Sequence, residues 1–230
     1  LFLFLFIFWL SQTTSAQKGF RIVELNTENF FDCRHDSLKD DSQFLPDSPK
    51  RWTWHRYWEK LQHISKELVS MSNGQPPDII GLTEVENDSV MKDLTRKALL
   101  RKIGYQYVMT NSKDPRGIDV ALLYQTGTFR FLNSRSIPIN FEGKDSIDTK
   151  NILYVCGKVF CGDTLNIFLC HFSSKINGKK FSEKFRRAEA LTLRNEIEKI
   201  YLIQAEAKII VFGDFNETPK EEALVEELGA

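Results

Sequence analysis

Residues 209–216 read IIVFGDFN, an unbroken apolar run that changes abruptly into polar residues. The first four residues have the length and character of a β-strand that is buried on both faces. Asp214 and Asn216 follow at once, although a strand has no need of them. A buried strand that ends in acid and amide side chains predicts a sheet covered by helices, with a functional site at the end of the strand.

Three other predicted strands also end in polar residues. Asn26 follows the first strand of the chain, Glu84 follows a short apolar run, and His171 follows a later strand. A sheet holds the backbone rigidly at such points, while the side chains remain free to converge. We therefore expect these three residues to meet Asp214 and Asn216 in a single site.

The chain between these points alternates predicted strands with amphipathic helices. Apolar residues recur at helical spacing from residue 57 to residue 71 and predict one helix. We expect a second helix capped by Asp88 or Ser89 and a long third helix capped by Ser182. We also expect one domain, because no linker interrupts residues 20–230. The remaining predicted strands are 20–25, 78–82, 105–110, 118–124, 151–160 and 165–171, with a hairpin turn between the last two.

Residues 1–16 have the layout of a secretion signal. Ten apolar residues, LFLFLFIFWL, precede a run of small polar residues. A membrane anchor is the alternative, but ten residues fall well short of the ~20 that span a bilayer. We expect cleavage after Ala16, which leaves residues 17–230 as a secreted or periplasmic domain without stable membrane insertion. Because the chain opens on Leu1 and not on a methionine, the start of this signal is expected to be missing.

Charge and cysteine content narrow the possible functions less than the motifs do. The 31 basic side chains balance 31 acidic ones, so no overall positive field attracts polyanions, and a nucleic-acid substrate is compatible with the composition without being indicated by it. The cysteines, Cys33, Cys156, Cys161 and Cys170, fit no zinc spacing. Free thiols are expected, with the last three in strands, although export would permit a disulfide.

Arg186 is expected on a solvated surface, from which it could reach a phosphate.

The side chains at the strand ends suit a particular chemistry. Carboxylate and amide oxygens are ligands for a hard cation such as Mg²⁺ or Mn²⁺, which usually takes one or two protein carboxylates and fills its other positions with water and substrate phosphate. Hydrolysis of a phosphodiester requires charge neutralised on the phosphoryl oxygens, an oriented water and a proton for the leaving alkoxide. A metal with Asn, Asp and His side chains can supply these parts.

Five segments together resemble the endonuclease/exonuclease/phosphatase superfamily of DNase I-like, metal-dependent phosphoesterases. Any one of them is weak, but five in the family's order are specific. The resemblance runs from Phe20 to Thr218 and implies an α/β (α+β) fold, a four-layer sandwich of two packed mixed β-sheets flanked by helices. The segments are LNTENFFD at 25–32, PDIIGLTEV at 77–85, RGIDVALLY at 116–124, HFSSK at 171–175 and GDFN at 213–216.

The resemblance implies a metal site at Glu84. Glu84 would be the principal ligand of Mg²⁺ or Mn²⁺, with Asn26 beside it and Glu28 supporting the metal shell. Taken alone, an acid in the position of Glu84 is as readily explained as a residue at a helix N-terminus that opposes the helix dipole. The surrounding segment IIGLTEV favours the metal.

The resemblance also implies the catalytic residues. Asp214 and Asn216 would contact the scissile phosphate and align or activate the attacking water, and His171 would protonate the leaving group or stabilise the phosphoryl charge. Without a catalytic role, Asp214 and Asn216 could form an Asx-turn after the strand, and His171 could donate a hydrogen bond to a backbone carbonyl. A histidine that acts as an acid needs its other nitrogen held, and Asp119, the acid inside the predicted strand 118–124, is the expected partner.

We expect a monomeric, exported nuclease that hydrolyses phosphodiester bonds in DNA or RNA. A lipid or inositol-phosphate phosphoesterase remains open, because the shared motifs bind phosphate and not the group attached to it, and a phosphate-binding pseudoenzyme is a further alternative. The resemblance implies a final Asp-His pair, which this chain, ending at Ala230, does not contain. The chain is therefore expected to be truncated before its last catalytic motif, to have an open side near Asp214, to aggregate readily and to be inactive as it stands.

Overall fold

The computed structural model describes residues 19–71, 75–141, 148–176 and 178–229, so the predicted secretion signal lies outside the described residues. Within these ranges the strands form two four-stranded sheets. Helices pack on the outer face of each sheet. No helix in the described ranges is both long and apolar enough to cross a bilayer.

The first sheet contains the segment that leads to Glu84. Its strands are β1 (Ile22–Phe30), β2 (Ile79–Val85), β3 (Gln106–Met109) and β4 (Asp119–Tyr124). Their order is β1-β2-β4-β3, with β1 parallel to β2 and the other neighbours antiparallel. β2 therefore has a hydrogen-bonded neighbour on each side, and its apolar sequence is buried along almost its whole length.

The second sheet carries His171 and Asp214. Its strands are β5 (Phe129–Ile137), β6 (Ile152–Val159), β7 (Thr164–His171) and β8 (Lys208–Asp214), in the order β5-β6-β7-β8. β7 and β8 are parallel, and the other pairs are antiparallel. The sequence did not predict β5, because this edge strand is exposed over most of its length and shows no regular apolar pattern.

Three α-helices cover the sheets, and their first residues differ slightly from those expected. α1 is Trp54–Ser70, α2 is Asp88–Arg96 and α3 is Lys179–Ile203. The side chain of Asn87, and not Asp88 or Ser89, caps α2 by accepting from the N–H of Val90 at 3.0 Å. α3 starts three residues before Ser182, which therefore lies in its first turn. Short helical turns occupy Ser42–Phe44, Leu99–Lys102 and Ala223–Leu228.

Alternation of side chains along the strands divides the interior into three apolar layers. One layer lies between the first sheet and helices α1 and α2, and another lies between the second sheet and α3. The arrangement of helices, sheet, sheet and helix is the four-layer sandwich that the resemblance implied. The layer between the two sheets is built from Ile79, Val120, Leu122, Phe129, Leu153, Val155, Val159, Leu165, Ile167 and Leu169.

β8 is less buried than its sequence predicts. Residues 209–212 were expected to be buried on both faces, but each is only half-buried. The reason is that β8 lies at the edge of the second sheet, where β7 is its single hydrogen-bonded neighbour among the described strands. Its apolar run packs on one side against the other sheet and on the other side against the α3 layer.

Arg186 is fully buried on α3 and not on a solvated surface as expected. Its guanidinium pairs with the carboxylate of Glu217 and donates to the carbonyl oxygen of Ser173 at 3.2 Å and to the hydroxyl of Ser182 at 2.6 Å. Arg186 lies four residues before the buried Ala190, and residues at this spacing share one face of a helix. The side chain of Arg186 is therefore buried, despite its charge, because its position lies on the face of α3 that packs against the sheet.

The cysteines are free, as expected. Cys33, Cys156 and Cys170 are buried, whereas Cys161, which was expected in a strand, is exposed in the turn between β6 and β7. This turn confirms the predicted hairpin, and its Gly162 has a φ of 94°, a conformation that favours glycine.

Gly81 allows the two sheets to approach each other three residues before Glu84. A Cβ atom at this position would lie 2.3 Å from Cε2 of Phe212 and 2.8 Å from Cδ1 of Leu169, both on the second sheet. Leu169 is fully buried and has little room to withdraw. The glycine is therefore needed for close packing of β2 against β7 and β8.

We expect Gly81→Ala to lower the free energy of unfolding by about 1–3 kcal/mol, because an added methyl group in a filled layer forces its neighbours out of position. Urea or thermal unfolding measures this change. Gly127→Ala is the matched control, since a Cβ there meets nothing within 4 Å, and it should alter stability by less than ~0.5 kcal/mol. Equal stability of the two variants would contradict the close approach of the sheets.

Candidate active site

Asn26, Glu84, His171 and Asp214 lie together at one end of the layer between the sheets. Three of them reach it by strand alternation, since alternate residues of a strand share a face. The convergence expected from the strand ends is thus present for these four side chains, although Asn26 and Asp214 are 188 residues apart. The apolar residues that share a face with Asn26, His171 and Asp214 are Ile22, Ile167, Leu169, Ile210 and Phe212, and all belong to or pack against the layer between the sheets.

The side-chain amide of Asn26 joins the two carboxylates. Its Nδ2 donates to Oε1 of Glu84 at 3.2 Å and to Oδ2 of Asp214 at 3.0 Å. Its Oδ1 accepts from the backbone N–H of Glu28 at 2.8 Å, which fixes the orientation of the amide. Both of its donors therefore point at acids, and Asn26 holds the two carboxylates around one centre.

Glu84 reaches the site through an irregular backbone. It has a φ of 61°, and the nearby Glu28 and Asn29 have φ values of 54° and 64°. The pairing register of β2 shifts here with respect to both β1 and β4, as in a β-bulge. Regular alternation would place Glu84 on the face of Leu82, which packs toward the helices. The bulge turns its carboxylate toward the other face, where Oε2 accepts from the N–H of Asn29 at 2.7 Å.

Gly213 and Asn216 fix Asp214 from either side along the chain. Gly213 has a φ of 134°, and a Cβ there would lie 2.0 Å from the carbonyl oxygen of Cys170, so no other residue fits without moving the backbone. The N–H of Asn216 donates to Oδ1 of Asp214 at 2.9 Å, and its side-chain Nδ2 donates to the carbonyl oxygen of Phe172 at 3.1 Å. Asn216 therefore forms the Asx-type contact and also ties the segment after β8 to the segment after β7.

His171 is buried beside the carboxylates. It is 5% exposed, and its Nε2 lies 3.9 Å from Oε1 of Glu84 and 4.0 Å from Oδ2 of Asp214. Burial, together with the positive charges of Lys150 and Arg116, lowers the pKa of His171 to about 2. The imidazole is neutral near pH 7, which favours hydrogen bonding to a phosphoryl oxygen over proton donation.

Asp119 does not hold His171, contrary to expectation. Its Oδ1 accepts from the hydroxyl of Thr110 at 2.5 Å and from the N–H of Ser112 at 3.0 Å. The Nδ1 of His171 is buried without a hydrogen-bond partner in the part of the chain that the structure describes. Asp119 shares a strand face with Ala121, which packs toward the helices, whereas His171 faces the layer between the sheets. The two side chains therefore point to different sides of the first sheet.

Support of the metal shell by Glu28 stays a prediction, and its side chain lies at the exposed edge of the site. No hydrogen bond links this side chain to Glu84 or Asp214 within the described ranges. The charges of Glu28 and Glu84 both act on Lys60 of α1, whose Nζ donates to the carbonyl oxygen of Glu28 at 2.5 Å. Glu28 also lines the groove beside α1.

Glu24 is a third acid near the site that the sequence did not identify. Burial raises its pKa, and the charge of Asp214 raises it further, while a hydrogen bond from the hydroxyl of Thr83 at 3.5 Å lowers it. Glu24 lies two residues before Asn26 on β1 and therefore shares its face. Counting alternate residues back from Asn26 would have found it.

The donor set fits one hard divalent cation. Glu84 and Asp214 present carboxylate oxygens to a common centre, and Mg²⁺ typically binds through one or two carboxylates. Among the described residues, no group of three or more His, Cys, Asp or Glu side chains is arranged to hold a metal. An ion at this centre would therefore take its remaining ligands from water and substrate.

Several solved structures share this fold. The human Nocturnin catalytic domain with bound sulfate anion is 24% identical, with a TM-score of 0.57 over 73% of this chain and 60% of that chain. A humanized D. rerio TDP2 is 18% identical, with a TM-score of 0.57 over 90% and 71% of the two chains. An endonuclease/exonuclease/phosphatase family protein from Bacteroides thetaiotaomicron is 20% identical, with a TM-score of 0.56 over 73% and 59%. At these identities the likeness shows the fold alone.

The extent of the matches differs between the comparisons. The chain spans 60% of the length of the Nocturnin domain and 55% of that of a truncated C. elegans TDP2. No curated protein matches it significantly. The model of the Endonuclease/Exonuclease/phosphatase family, in contrast, matches residues 21–230, which include every described strand and helix. The chain belongs to the endonuclease/exonuclease/phosphatase family.

Proposed function

We propose that the protein hydrolyses phosphodiester bonds of nucleic acid with the aid of a divalent cation, Mg²⁺ or Mn²⁺. The observation that carries this proposal is the pair of carboxylates, Glu84 and Asp214, held by one amide, with the Nε2 of His171 at 3.9 and 4.0 Å from them. Two acids and a neutral imidazole around one centre match the needs of phosphoryl transfer. Membership of the family supports the same chemistry.

Each residue has a distinct part in this proposal. A bound cation would neutralise charge on the phosphoryl oxygens, with Glu84 as its principal ligand. Asp214 accepts a proton from the attacking water as the water oxygen bonds to phosphorus, the bond from phosphorus to the leaving oxygen breaks, and the leaving alkoxide takes a proton from solvent water. The orientation of Asp214 is fixed by the N–H of Asn216 and the amide of Asn26. His171 donates an N–H to a phosphoryl oxygen, for which a neutral imidazole is sufficient.

A groove beside Asn26 supports nucleic acid as the substrate. It has a volume of about 550 Å³, and α1 contributes Arg56, Lys60 and His63 to its wall, which also includes the acids Glu28, Glu59 and Glu67. Arg56, Lys60 and His63 are four and three positions apart and share one helix face, so they can follow the phosphates of a strand. The groove also contains Trp52, whose ring centroid lies 5.6 Å from the guanidinium of Arg56. A protein of the same fold, D. rerio TDP2, has been solved with a single-strand DNA product.

We further propose that the protein is exported and acts as a monomer, with residues 17–230 as its mature domain. The apolar run of residues 1–10 and the small polar residues after it support export. If the gene is expressed from its natural start, the protein recovered outside the cytoplasm should begin at Gln17. Recovery of the uncleaved chain in the membrane would favour an anchor instead.

The proposed activity is tested on the purified protein with its natural termini. Supercoiled DNA, RNA, sphingomyelin and inositol phosphates are offered with Mg²⁺ and with EDTA. We expect hydrolysis of nucleic acid that EDTA abolishes and excess Mg²⁺ restores, because the acids alone cannot neutralise phosphoryl charge. Asp214→Asn, prepared in the same way, controls for contaminating nucleases and should be inactive. Preferential hydrolysis of a lipid or inositol phosphate would contradict the proposal that nucleic acid is the substrate. Activity that resists EDTA would contradict the proposal that a divalent cation is required.

A further inference from the structure

A second cavity lies beside the segment that follows His171. It has a volume of about 480 Å³, and its wall includes Arg116, Lys150, Ser174 and Phe181. The positive charges of Lys150 and Arg116 act on His171, which places them within electrostatic reach of the site. The cavity at Asn26 and Asp214 shares no lining residue with this one. The second cavity is therefore separate from the first, and it brings Lys150 and Arg116 near the site together with Asp114 and Asp148.

Lys150 is the unusual residue of this cavity. It is 5% exposed, and it makes no hydrogen bond or ion pair within the described ranges. The charge of Glu189 acts on that of Lys150, but a largely buried ammonium with no direct hydrogen-bonded partner still favours an anion beside it. An anion that enters the cavity would supply the missing partner.

Glu189 holds the cavity wall in place without neutralising Lys150 by direct contact. Its carboxylate is buried on α3 and accepts from the N–H of Ser173 at 2.7 Å, the hydroxyl of Ser173 at 2.9 Å and the hydroxyl of Thr149 at 3.4 Å. These bonds join the segment after His171 to the segment that contains Lys150. The position of the ammonium is therefore set by a buried framework and not by a mobile surface chain.

The cavity wall also contains two acids, Asp114 and Asp148, and the Nε of Arg116 lies 3.9 Å from Oδ1 of Asp114. The Oδ1 of Asp114 accepts from the backbone N–H groups of Arg116 at 3.0 Å and of Ile118 at 3.4 Å, so this acid shapes the loop that carries Arg116. Asp148 is exposed at the cavity wall. Phe181 is 55% exposed and offers a ring face, and Nζ of Lys184 lies 5.2 Å from its centroid.

We propose that Lys150 and Arg116 bind a second phosphate group of the substrate, a phosphomonoester on the nucleotide beside the bond that is cleaved. This inference rests on the proposed function, and it gives that function a preference for phosphorylated ends of nucleic acid over internal positions. The scissile phosphate belongs at Glu84 and Asp214, so the separate cavity that contains Lys150 serves another anionic group. The exposed ring of Phe181 provides a surface on which the base of that terminal nucleotide stacks.

The first test is binding of inorganic phosphate to the protein without metal, followed by thermal unfolding. We expect phosphate at ~100-fold above its Kd to raise the Tm by about 5 °C or more. Lys150→Met should lose this shift while remaining at least as stable without phosphate, since a buried unpaired charge is replaced by an apolar side chain of similar length. Lys158→Met, on the exposed face of β6, is the control and should keep the shift.

The opposite result would overturn the inference. If Lys150 only compensates the charge of Glu189, Lys150→Met lowers the Tm without phosphate and leaves the phosphate shift unchanged. A phosphate shift that is absent from the unsubstituted protein also contradicts the subsite. Neither measurement depends on hydrolysis, so the subsite is judged separately from the proposed activity.

The second test distinguishes a second phosphate from the scissile one. Short oligonucleotides with and without a terminal phosphate are hydrolysed by the natural protein and by Lys150→Met in Mg²⁺. We expect the substitution to raise KM about 10-fold or more for the phosphorylated substrate, with kcat unchanged, and to have little effect on the other. An equal loss of kcat on both substrates would assign Lys150 to the scissile phosphate. If neither substrate is hydrolysed by the unsubstituted protein, the proposed function fails while the phosphate shift still decides the subsite.

Discussion

Glu84→Gln is expected to reduce metal-dependent hydrolysis by about 10²–10³-fold, because it removes the negative charge that holds the cation at the centre of the site. The substitution retains the shape of the side chain and an oxygen that can accept from Asn26. Rates are measured with saturating nucleic acid over a range of Mg²⁺ concentrations. A high Mg²⁺ concentration should recover only part of the rate, since Asp214 alone remains as a carboxylate.

Binding of the cation can be measured independently of turnover. Mg²⁺ or Mn²⁺ at ~100-fold above its Kd stabilises the native state by about 2.7 kcal/mol, which corresponds to a rise in Tm of about 5–10 °C for a chain of this size. Glu84→Gln should lose most of this rise. The difference between samples with and without metal is the relevant quantity, because the glutamine also disturbs the bond from the N–H of Asn29.

Glu28→Gln separates the two acids that the resemblance assigned to the metal. The carboxylate of Glu28 is exposed and faces Lys60, so this variant should keep both the metal-dependent rise in Tm and the activity. If Glu28→Gln and Glu84→Gln weaken metal binding equally, Glu28 belongs to the metal shell and the geometry described for Glu84 is insufficient. If neither variant weakens it, the cation does not bind at this pair of carboxylates.

Most of the fold could be predicted from the sequence, because it depends on patterns that are local. Apolar runs located β2, β7 and β8, and helical spacing located α1 and α3. β5 was not predicted, because an exposed edge strand needs no apolar pattern. It is held by hydrogen bonds along β6. The half-burial of β8 was not predicted either, since the position of a strand within its sheet depends on pairing with distant segments.

The candidate site shows where local patterns fail. The rule that strand ends carry sites brought Asn26, Glu84, His171 and Asp214 together, but it does not state toward which face a side chain points. Strand alternation would have excluded Asp119 as the partner of His171, whereas the same alternation would have placed Glu84 on the wrong face, because a bulge intervenes.

The cavity that contains Lys150 could not be predicted from the sequence for a related reason. Lys150 precedes a strand and has no motif around it, so its burial follows only from packing against other segments. Glu189 and Arg186 read as ordinary charged residues of a long helix. Counting from Ala190 and Leu193, however, places both on the buried stripe of α3, where a charge requires a partner.

Arg186→Met should be among the most destabilising single substitutions outside the apolar core, with a loss of about 3–5 kcal/mol in the free energy of unfolding. Arg186 is fully buried, and the side chain of its partner Glu217 is 2% exposed. Removal of the guanidinium leaves this carboxylate buried and leaves the carbonyl oxygen of Ser173 without its bond from Arg186. Urea unfolding at neutral pH measures the loss, and Arg187→Met is the neighbouring control.

The control and a double substitution decide whether the buried carboxylate of Glu217, left with Lys175 but without its guanidinium partner, causes the loss. Arg187 is 39% exposed and pairs with surface acids, so Arg187→Met should cost less than ~1 kcal/mol. Adding Glu217→Leu to Arg186→Met should recover much of the stability, because a buried ion pair replaced on both sides by apolar groups is often no less stable than the pair. Lys175, the other partner of Glu217, would keep its bond to Glu221. If the double variant is as unstable as Arg186→Met alone, the hydrogen bond to the segment after His171, and not the charge of Glu217, is the main contribution of Arg186.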